Sequence, residues 1–492
     1  MRIVFAASEM VPFAKTGGLA DVIGSLAAEI RLLGHEVAVF LPRYKVIDIQ
    51  NWRLKSVVDR LEIPLGTEKE PGRILTSTLR NGVKLYFVEH PEFYARNGLY
   101  GTTLGDFADN DRRFIFFGRA MLEALKILGL KPDMIHCHDW QTGLVPVYLK
   151  TIYARDPFYQ KIRTVFTIHN LGYQGNFPPD SLPLTGLGWN QFRMERLEFY
   201  GKVSFLKAAL LDADSVTTVS ERYAREIQSK EFGCGMEGIL SKRRENLYGV
   251  VNGIDLQEWN PETDPDLAAS YGIRSVEKKR INKAALQKEN NLALDPRLLL
   301  CGVVSRLVDQ KGIDLLIPAL APALEQGIQF VILGTGEEKY HQWLREIAKK
   351  NKGKCSVHIL FDPRMAKRIY AGADTLLMPS YYEPCGLGQM IALRFGTIPV
   401  VRATGGLADT VQNYDPRTGL GNGFSFQDYA SGALVDALGR ASEVYRNEKK
   451  WRDLVQTAMT CDFSWAASAR KYVQIYDVTK RRPIEGAEKR LG

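Results

Sequence analysis

The residues with the most chemical promise lie between Thr375 and Phe395, TLLMPSYYEPCGLGQMIALRF. One acid, Glu383, stands between a short apolar run suited to a buried parallel strand, Thr375 to Pro379, and a run with helical spacing, Leu387 to Phe395. Pro384 biases Glu383 towards an extended backbone, so its carboxylate should project from the carboxyl end of the strand, where open α/β sheets take ligands. Gly386 to Gly388 then open a helix. Its first N–H groups lack internal partners and suit an anion such as a phosphate. Taken alone, the stretch reads more readily as the ordinary strand, turn and helix of any doubly wound domain, with Glu383 a surface acid.

Other stretches shift that balance. Ser305-Arg306-Leu-Val-Asp-Gln-Lys311-Gly312 follows a strand-like run and sets two cations five residues apart. Arginine offers phosphate oxygens a bidentate fork and lysine a compact charge, a pair suited to a pyrophosphate, although a solvated basic turn explains the segment about as well. Near the start, Lys15-Thr-Gly-Gly-Leu-Ala-Asp21 opens a helix with a glycine pair through which a ligand can approach the backbone, and Lys15 adds a point charge. It is not the GxGxxG of dinucleotide binders. Thr16 to Asp21 recurs letter for letter at Thr404 to Asp409, again between strand and helix. Two doubly wound domains, each presenting glycine-rich backbone at its carboxyl edge, would account for the repeat, with a cleft between them as the expected ligand site.

The strand Met134-Ile-His-Cys-His-Asp139-Trp140 ends in polar residues. His136 and His138 alternate onto one face, but no third metal ligand with suitable spacing appears. Asp139 suits either a helix N-cap or a substrate hydroxyl. His169-Asn170 closes the strand Arg163 to Ile168, and there a histidine serves a ligand or a turn.

These groups need elements to hold them. A chain of 492 residues exceeds one hydrophobic core, and 45% hydrophobic with 25% charged residues is ordinary for a soluble protein. No apolar window approaches membrane-spanning length. The opening MRIVFAASEM reads as a first strand, too short for a signal peptide, and no transit peptide is apparent. Six scattered cysteines with no CxxC pair imply reduced thiols in a cytoplasm. The net charge of +9 is dispersed except at Lys242 to Arg244, Lys278 to Arg280 and the tail, and no stacking-aromatic motif accompanies it, which argues against a nucleic-acid partner.

In chain order, a βαβ opening is followed by a hairpin at Ile74 to His90, where Asn81-Gly82 predicts a type I′ turn, and by Phe93, Tyr94 and Tyr100 on a loop. A long helix from Asp109 to Leu128 and further strands follow. Asn252 to Pro265 looks like a linker, beyond which strands near 298–304, 328–333, 356–360, 375–379 and 398–401 alternate with helices, as a second parallel sheet requires.

Taken together, Lys15-Thr-Gly-Gly-Leu-Ala-Asp21, His136-Cys-His-Asp-Trp140, Thr167-Ile-His-Asn170, Ser305-Arg306 with Lys311-Gly312, Glu383-Pro-Cys-Gly-Leu387 and Thr404-Gly-Gly-Leu407 resemble the bacterial glycogen synthase and plastid starch synthase family. The resemblance runs from about residue 1 to 475. It implies two Rossmann-like, doubly wound parallel-sheet domains facing a deep cleft (the GT-B fold): residues 1–251 with the hairpin insertion at 73–90, residues 252–462, and a C-terminal helix within 463–492 that crosses back to the first domain before a tail. The implied reaction is retaining transfer of glucose from ADP-glucose to the non-reducing end of an α-1,4-glucan, without metal or other cofactor, membrane or nucleic acid.

Carried over residue by residue, the resemblance gives Arg306 and Lys311 the donor diphosphate, helped by Lys15, Gly17 and Gly18. Glu383 lies against the donor glucose, and Cys385, Gly386, Leu387, Thr404 and Gly405 line the donor. Asp139 and His169 stand beside the sugar, the His169 carbonyl facing the developing oxocarbenium ion, with Asp21, Asn170 and Asn252 on the acceptor or sugar side. Phe361 stands where the family often has a tyrosine that stacks on adenine, and Gly388 replaces a common threonine. ADP-glucose and UDP-glucose both stay open as donors. A nicotinamide oxidoreductase lacks its fingerprint here, and a non-catalytic nucleotide or glucan binder would often have lost Glu383, Arg306 or Lys311.

Overall fold

The computed structural model describes residues 1–102 and 104–483, so the tail expected beyond the last helix lies outside the described residues. The chain forms two compact units. One comprises Met1–Val219, Ala224–Val250 and the chain from Trp465 onward, the other Ser220–Tyr223 and Val251–Ser464.

The first unit is built on nine strands: β1 (Arg2–Ala6), β2 (Glu36–Pro42), β3 (Lys55–Leu65), β4 (Glu68–Thr78), β5 (Lys84–Glu89), β6 (Met134–His138), β7 (Arg163–Ile168), β8 (Ser215–Thr218) and β9 (Leu247–Gly249). Their order across the sheet is β9-β8-β7-β6-β1-β2-β5-β4-β3. From β9 to β5 every pairing is parallel, and β6 and β7 are buried along their whole length even though His136, His138, Arg163 and Thr167 interrupt their apolar residues. β1 is the first strand laid down, and the chain later returns to its other side with β6, so the order reverses between them. Loops leaving β1 and β6 at their carboxyl ends carry Lys15 and Asp139.

At the far edge β4 pairs antiparallel with β5 and β3 with β4. The expected hairpin is present, but its turn is not type I′. That turn needs positive φ at two successive residues, and only Gly82 has it, at +85°. Leu79 N–H bonds the Val83 carbonyl and Gly82 N–H the Leu79 carbonyl, a three-residue loop closed by a left-handed glycine. The strand β3 went unrecognised because KSVVDRLEIPL interleaves charges and pairs with bulges, features of a guarded edge. Phe93 and Tyr94 are not on an open loop. They are buried in the short helix Pro91–Tyr94.

The final helix, Trp465–Arg481, belongs to this first unit and packs on the helix Gly18–Leu32 and on β7. Tyr472 and Tyr476 are fully buried there, and Lys480 pairs with Asp133 at 2.8 Å.

The second unit holds six parallel strands: β10 (Leu300–Val304), β11 (Gln329–Leu333), β12 (Cys355–His358), β13 (Thr375–Met378), β14 (Ile398–Arg402) and β15 (Phe424–Phe426), in the order β12-β11-β10-β13-β14-β15. Counted from β10 this is 3-2-1-4-5-6, the doubly wound Rossmann order, with its reversal between β10 and β13. Ser305 to Lys311 follows β10 and Ser380 to Glu383 follows β13, so neighbouring strands deliver the cations and the acid. Among the described residues, no helix is long and apolar enough to cross a membrane.

Candidate functional site

In the second unit Lys311 Nζ lies 2.6 Å from Glu383 Oε2, and Ser380 Oγ donates to the same oxygen at 3.2 Å. Glu383 is 5% exposed. The approach depends on Gly312, whose φ of +71° and missing Cβ let the turn Asp309–Lys311 lie against the end of β13. A Cβ there would stand 2.1 Å from the Pro379 carbonyl oxygen. Arg306 is exposed and its Nη2 donates to Gln310 Oε1 at 3.0 Å. Lys311 and the acid are thus brought together, while Arg306 is bonded to Gln310 beside Lys311.

Behind Glu383, Gly386 has φ +73° and the helix Gly388–Arg394 begins. Gln389 in its first turn is fully buried and donates back to the carbonyls of Cys385 and Gly386 and to Thr410 Oγ1. Cys385 is buried, and burial pushes its thiol up to about 12, opposed by a backbone hydrogen bond from Asn252. A buried thiol raised in this way is no ready nucleophile, which fits a packing role for Cys385. Asn252 Oδ1 is buried with no hydrogen-bond partner among the described residues. Phe361 is 87% exposed, held at the mouth of the helix Pro363–Gly372 by Asp362, which caps the N–H groups of Arg364 and Met365.

The repeated hexapeptide is used in two different ways. At Thr404 to Asp409, Gly405 has φ +44° and a Cβ on it would fall 1.9 Å from the Glu383 carbonyl oxygen, while Gly406 N–H donates to the carbonyls of Glu383 and Pro384, both at 3.1 Å. The close approach expected of a ligand is here made by the Glu383 loop itself. Asp409 accepts from Ser220 Oγ at 2.7 Å and Arg222 N–H at 2.9 Å. At Thr16 to Asp21, Gly17 has φ −148° and a Cβ on it would touch nothing within 4 Å. Gly17 and Gly18 are exposed, and Asp21 pairs with Lys15 at 2.7 Å.

In the first unit Asp139 does not cap the helix after it. Its carboxylate instead accepts the His169 N–H at 2.7 Å, and it holds φ +54°, ψ −179°, a region that only glycine enters freely. Burial raises Asp139 to about 7, opposed by the backbone N–H groups of His169 and Asn170. Asn170 Oδ1 accepts the Gly172 N–H at 2.9 Å. The His169 ring meets His138 Nδ1 at 3.0 Å, and burial lowers it to about 3. Both nitrogens of His136 are taken, by Tyr476 OH at 2.7 Å and Thr167 Oγ1 at 2.6 Å, so it is not poised to ligate a metal.

One further acid stands at this end of the sheet. Glu9, 3% exposed, accepts from Thr16 N–H, the Thr16 hydroxyl and Gly17 N–H, and Tyr100 OH lies 2.7 Å from it. An acid six residues before a lysine carries no pattern of its own. Only its position at the end of β1 marks it.

Residues 2–242 match the family described as starch synthase catalytic domain, and residues 282–458 that described as glycosyl transferases group 1. The chain is 45% identical to a glycogen synthase of Koribacter versatilis, covering 98% of this chain and 99% of that one. To a glycogen synthase of Desulforudis audaxviator it is 48% identical over 97% and 96% of the two chains. The solved catalytic domain of starch synthase IV from Arabidopsis thaliana, bound to ADP and acarbose, superposes with a TM-score of 0.89 at 36% identity, over 98% of this chain and 99% of that one. Sucrose-phosphate synthase from Thermosynechococcus elongatus, at 17% identity and a TM-score of 0.61, shares the fold alone. With two parallel-sheet domains and full-length relatives of this kind, the chain belongs to the glycogen synthase and starch synthase family of GT-B glycosyltransferases.

Proposed function

We propose that the protein transfers glucose from ADP-glucose to the non-reducing end of an α-1,4-glucan with retention of configuration. The observation that carries this is the Lys311–Glu383 pair on adjacent loops at the strand-order reversal of the second unit, with Arg306 on the same loop as Lys311 and bonded to its neighbour Gln310. Arg306 and Lys311 neutralise the diphosphate as it leaves. Such preorganised charge is the largest catalytic contribution to expect, and loss of one cation costs about 10²–10³ in turnover. The exposed Phe361 ring supports stacking on a nucleobase, and the relative solved with ADP supports adenine. Gly386, Leu387 and Thr404 line the donor, whereas Asp139, His169, Asn170, Asp21 and Asn252 serve the sugar and acceptor.

Retention follows from front-face attack. The bond from glucose C1 to the phosphate oxygen breaks, that from C1 to the acceptor 4-oxygen forms, and the acceptor proton passes to the departing phosphate. The Lys311 and Ser380 contacts of Glu383 support a stabilising role over a nucleophilic one. Six free cysteines fit a cytoplasmic setting. Incubation with glycogen and equal concentrations of ADP-glucose and UDP-glucose tests the reading: chain lengthening with release of ADP is expected. Preferential release of UDP would reassign the donor, and no transfer from either would refute the reaction.

A further inference from the structure

We propose that Gln310 is a positioning residue that locks the Arg306 guanidinium to the loop bearing Glu383. The inference rests on the reading of Arg306 as a donor-diphosphate ligand. Arg306 is exposed, and an exposed arginine samples many rotamers, so something must select the one that presents its fork. Gln310 Oε1 does so by accepting from Nη2 at 3.0 Å, which leaves the other edges of the fork to phosphate oxygens. The same residue grips the acid's loop twice. Its backbone carbonyl accepts the Tyr381 N–H at 3.0 Å, and its side-chain amide reaches the Tyr382 carbonyl at 3.5 Å.

The opposite side of that loop is also pinned. Arg402 Nη1 donates to the Tyr381 carbonyl at 2.5 Å and Nε to the Gln427 carbonyl at 3.1 Å, and its guanidinium stands 5.4 Å from the Tyr429 ring. Tyr429 OH in turn donates to Asp314 at 2.6 Å, three residues beyond Lys311. The turn at 309–311 and the loop at 380–383 therefore move as one piece, and Gln310 is the residue in it that touches Arg306. A shift of Glu383 relative to Arg306 must break a Gln310 contact.

The test is Gln310→Met, which keeps side-chain length but offers only a weak thioether acceptor, alone and combined with Arg306→Ala. Losing a hydrogen bond to a charged group should raise the donor KM and the Kd for ADP about tenfold, with the glucan KM unchanged. Against Arg306→Ala the same change should add less than about twofold, because the two residues act through one contact. Gln310→Asn, too short to span it, should behave alike and serves if the Met variant folds poorly. A full-sized further effect in the Arg306→Ala background, or a loss of kcat with unchanged donor KM, would show a purely structural role and overturn the proposal. Arg306→Ala with unaltered ADP affinity would instead remove the donor role of Arg306, and the proposal with it.

Discussion

Lys311 and Glu383 have side chains 18% and 6% exposed and stand 2.6 Å apart, so neither can lose its partner cheaply. Removing one member of a buried pair leaves an uncompensated charge, whereas replacing both removes the desolvation cost as well. Lys311→Met should therefore destabilise the second unit by about 3 kcal/mol, the low end for such pairs because the ammonium keeps some solvent. Lys311→Met combined with Glu383→Gln should recover most of that stability and none of the activity. Urea unfolding checks the first statement and ADP release the second. A double variant no more stable than the single one would show that the pair is not the stabilising contact. Glu383→Ala should leave the fold intact while lowering turnover sharply, since its loop is also held through the backbone by Gln310, Arg402 and Gly406.

At the scale of elements, six identical letters adopt two structures. The helix after the first copy starts at Gly18, its third residue, and that after the second at Gly405, its second, so the caps are Gly17 and Thr404. Gly405→Ala should disrupt the Glu383 loop, because the new methyl group would fall 1.9 Å from a backbone oxygen at a φ of +44° that disfavours any side chain. A loss of more than about 2 kcal/mol and of activity is expected. Gly17→Ala, with open space and extended backbone, should cost less than about 0.5 kcal/mol. Thermal unfolding of both variants decides. Equal effects would mean that the two loops share one constraint after all. The letters alone could not tell these apart, because what differs is the neighbour each loop meets: the Glu9 carboxylate in one case and the Glu383 carbonyl in the other. Parallel strands were legible as apolar runs because both faces are covered, and the cations and acid because Pro384, Gly312 and Gly386 mark strand ends. β3 and Glu9 were not legible, since edge charges and a lone acid carry no period.

On the scale of the whole molecule, residues from three distant parts of the chain make one buried histidine cluster in the first unit. His136, His138 and His169 stand together, closed by Tyr476 from the C-terminal helix. Burial lowers His136 and His138 well below the ordinary histidine range and His169 to about 3, while it raises Asp139 to about 7. The signs oppose each other. As pH falls below about 6.5, an unfolded chain takes up three protons that the folded histidines refuse, which favours unfolding. Over the same range the folded chain holds a proton on Asp139 that the unfolded chain releases down to about pH 4, which favours folding. Three histidines oppose one carboxyl, so acid added below about pH 6.5 should on balance remove stability through this cluster. Urea midpoints measured from about pH 7 to 4.5 should fall as acid is added, and His138→Phe should flatten the fall. A midpoint that holds constant from pH 7 to 5 would mean that the cluster admits water or protons in the folded state, and that the C-terminal helix does not seal it.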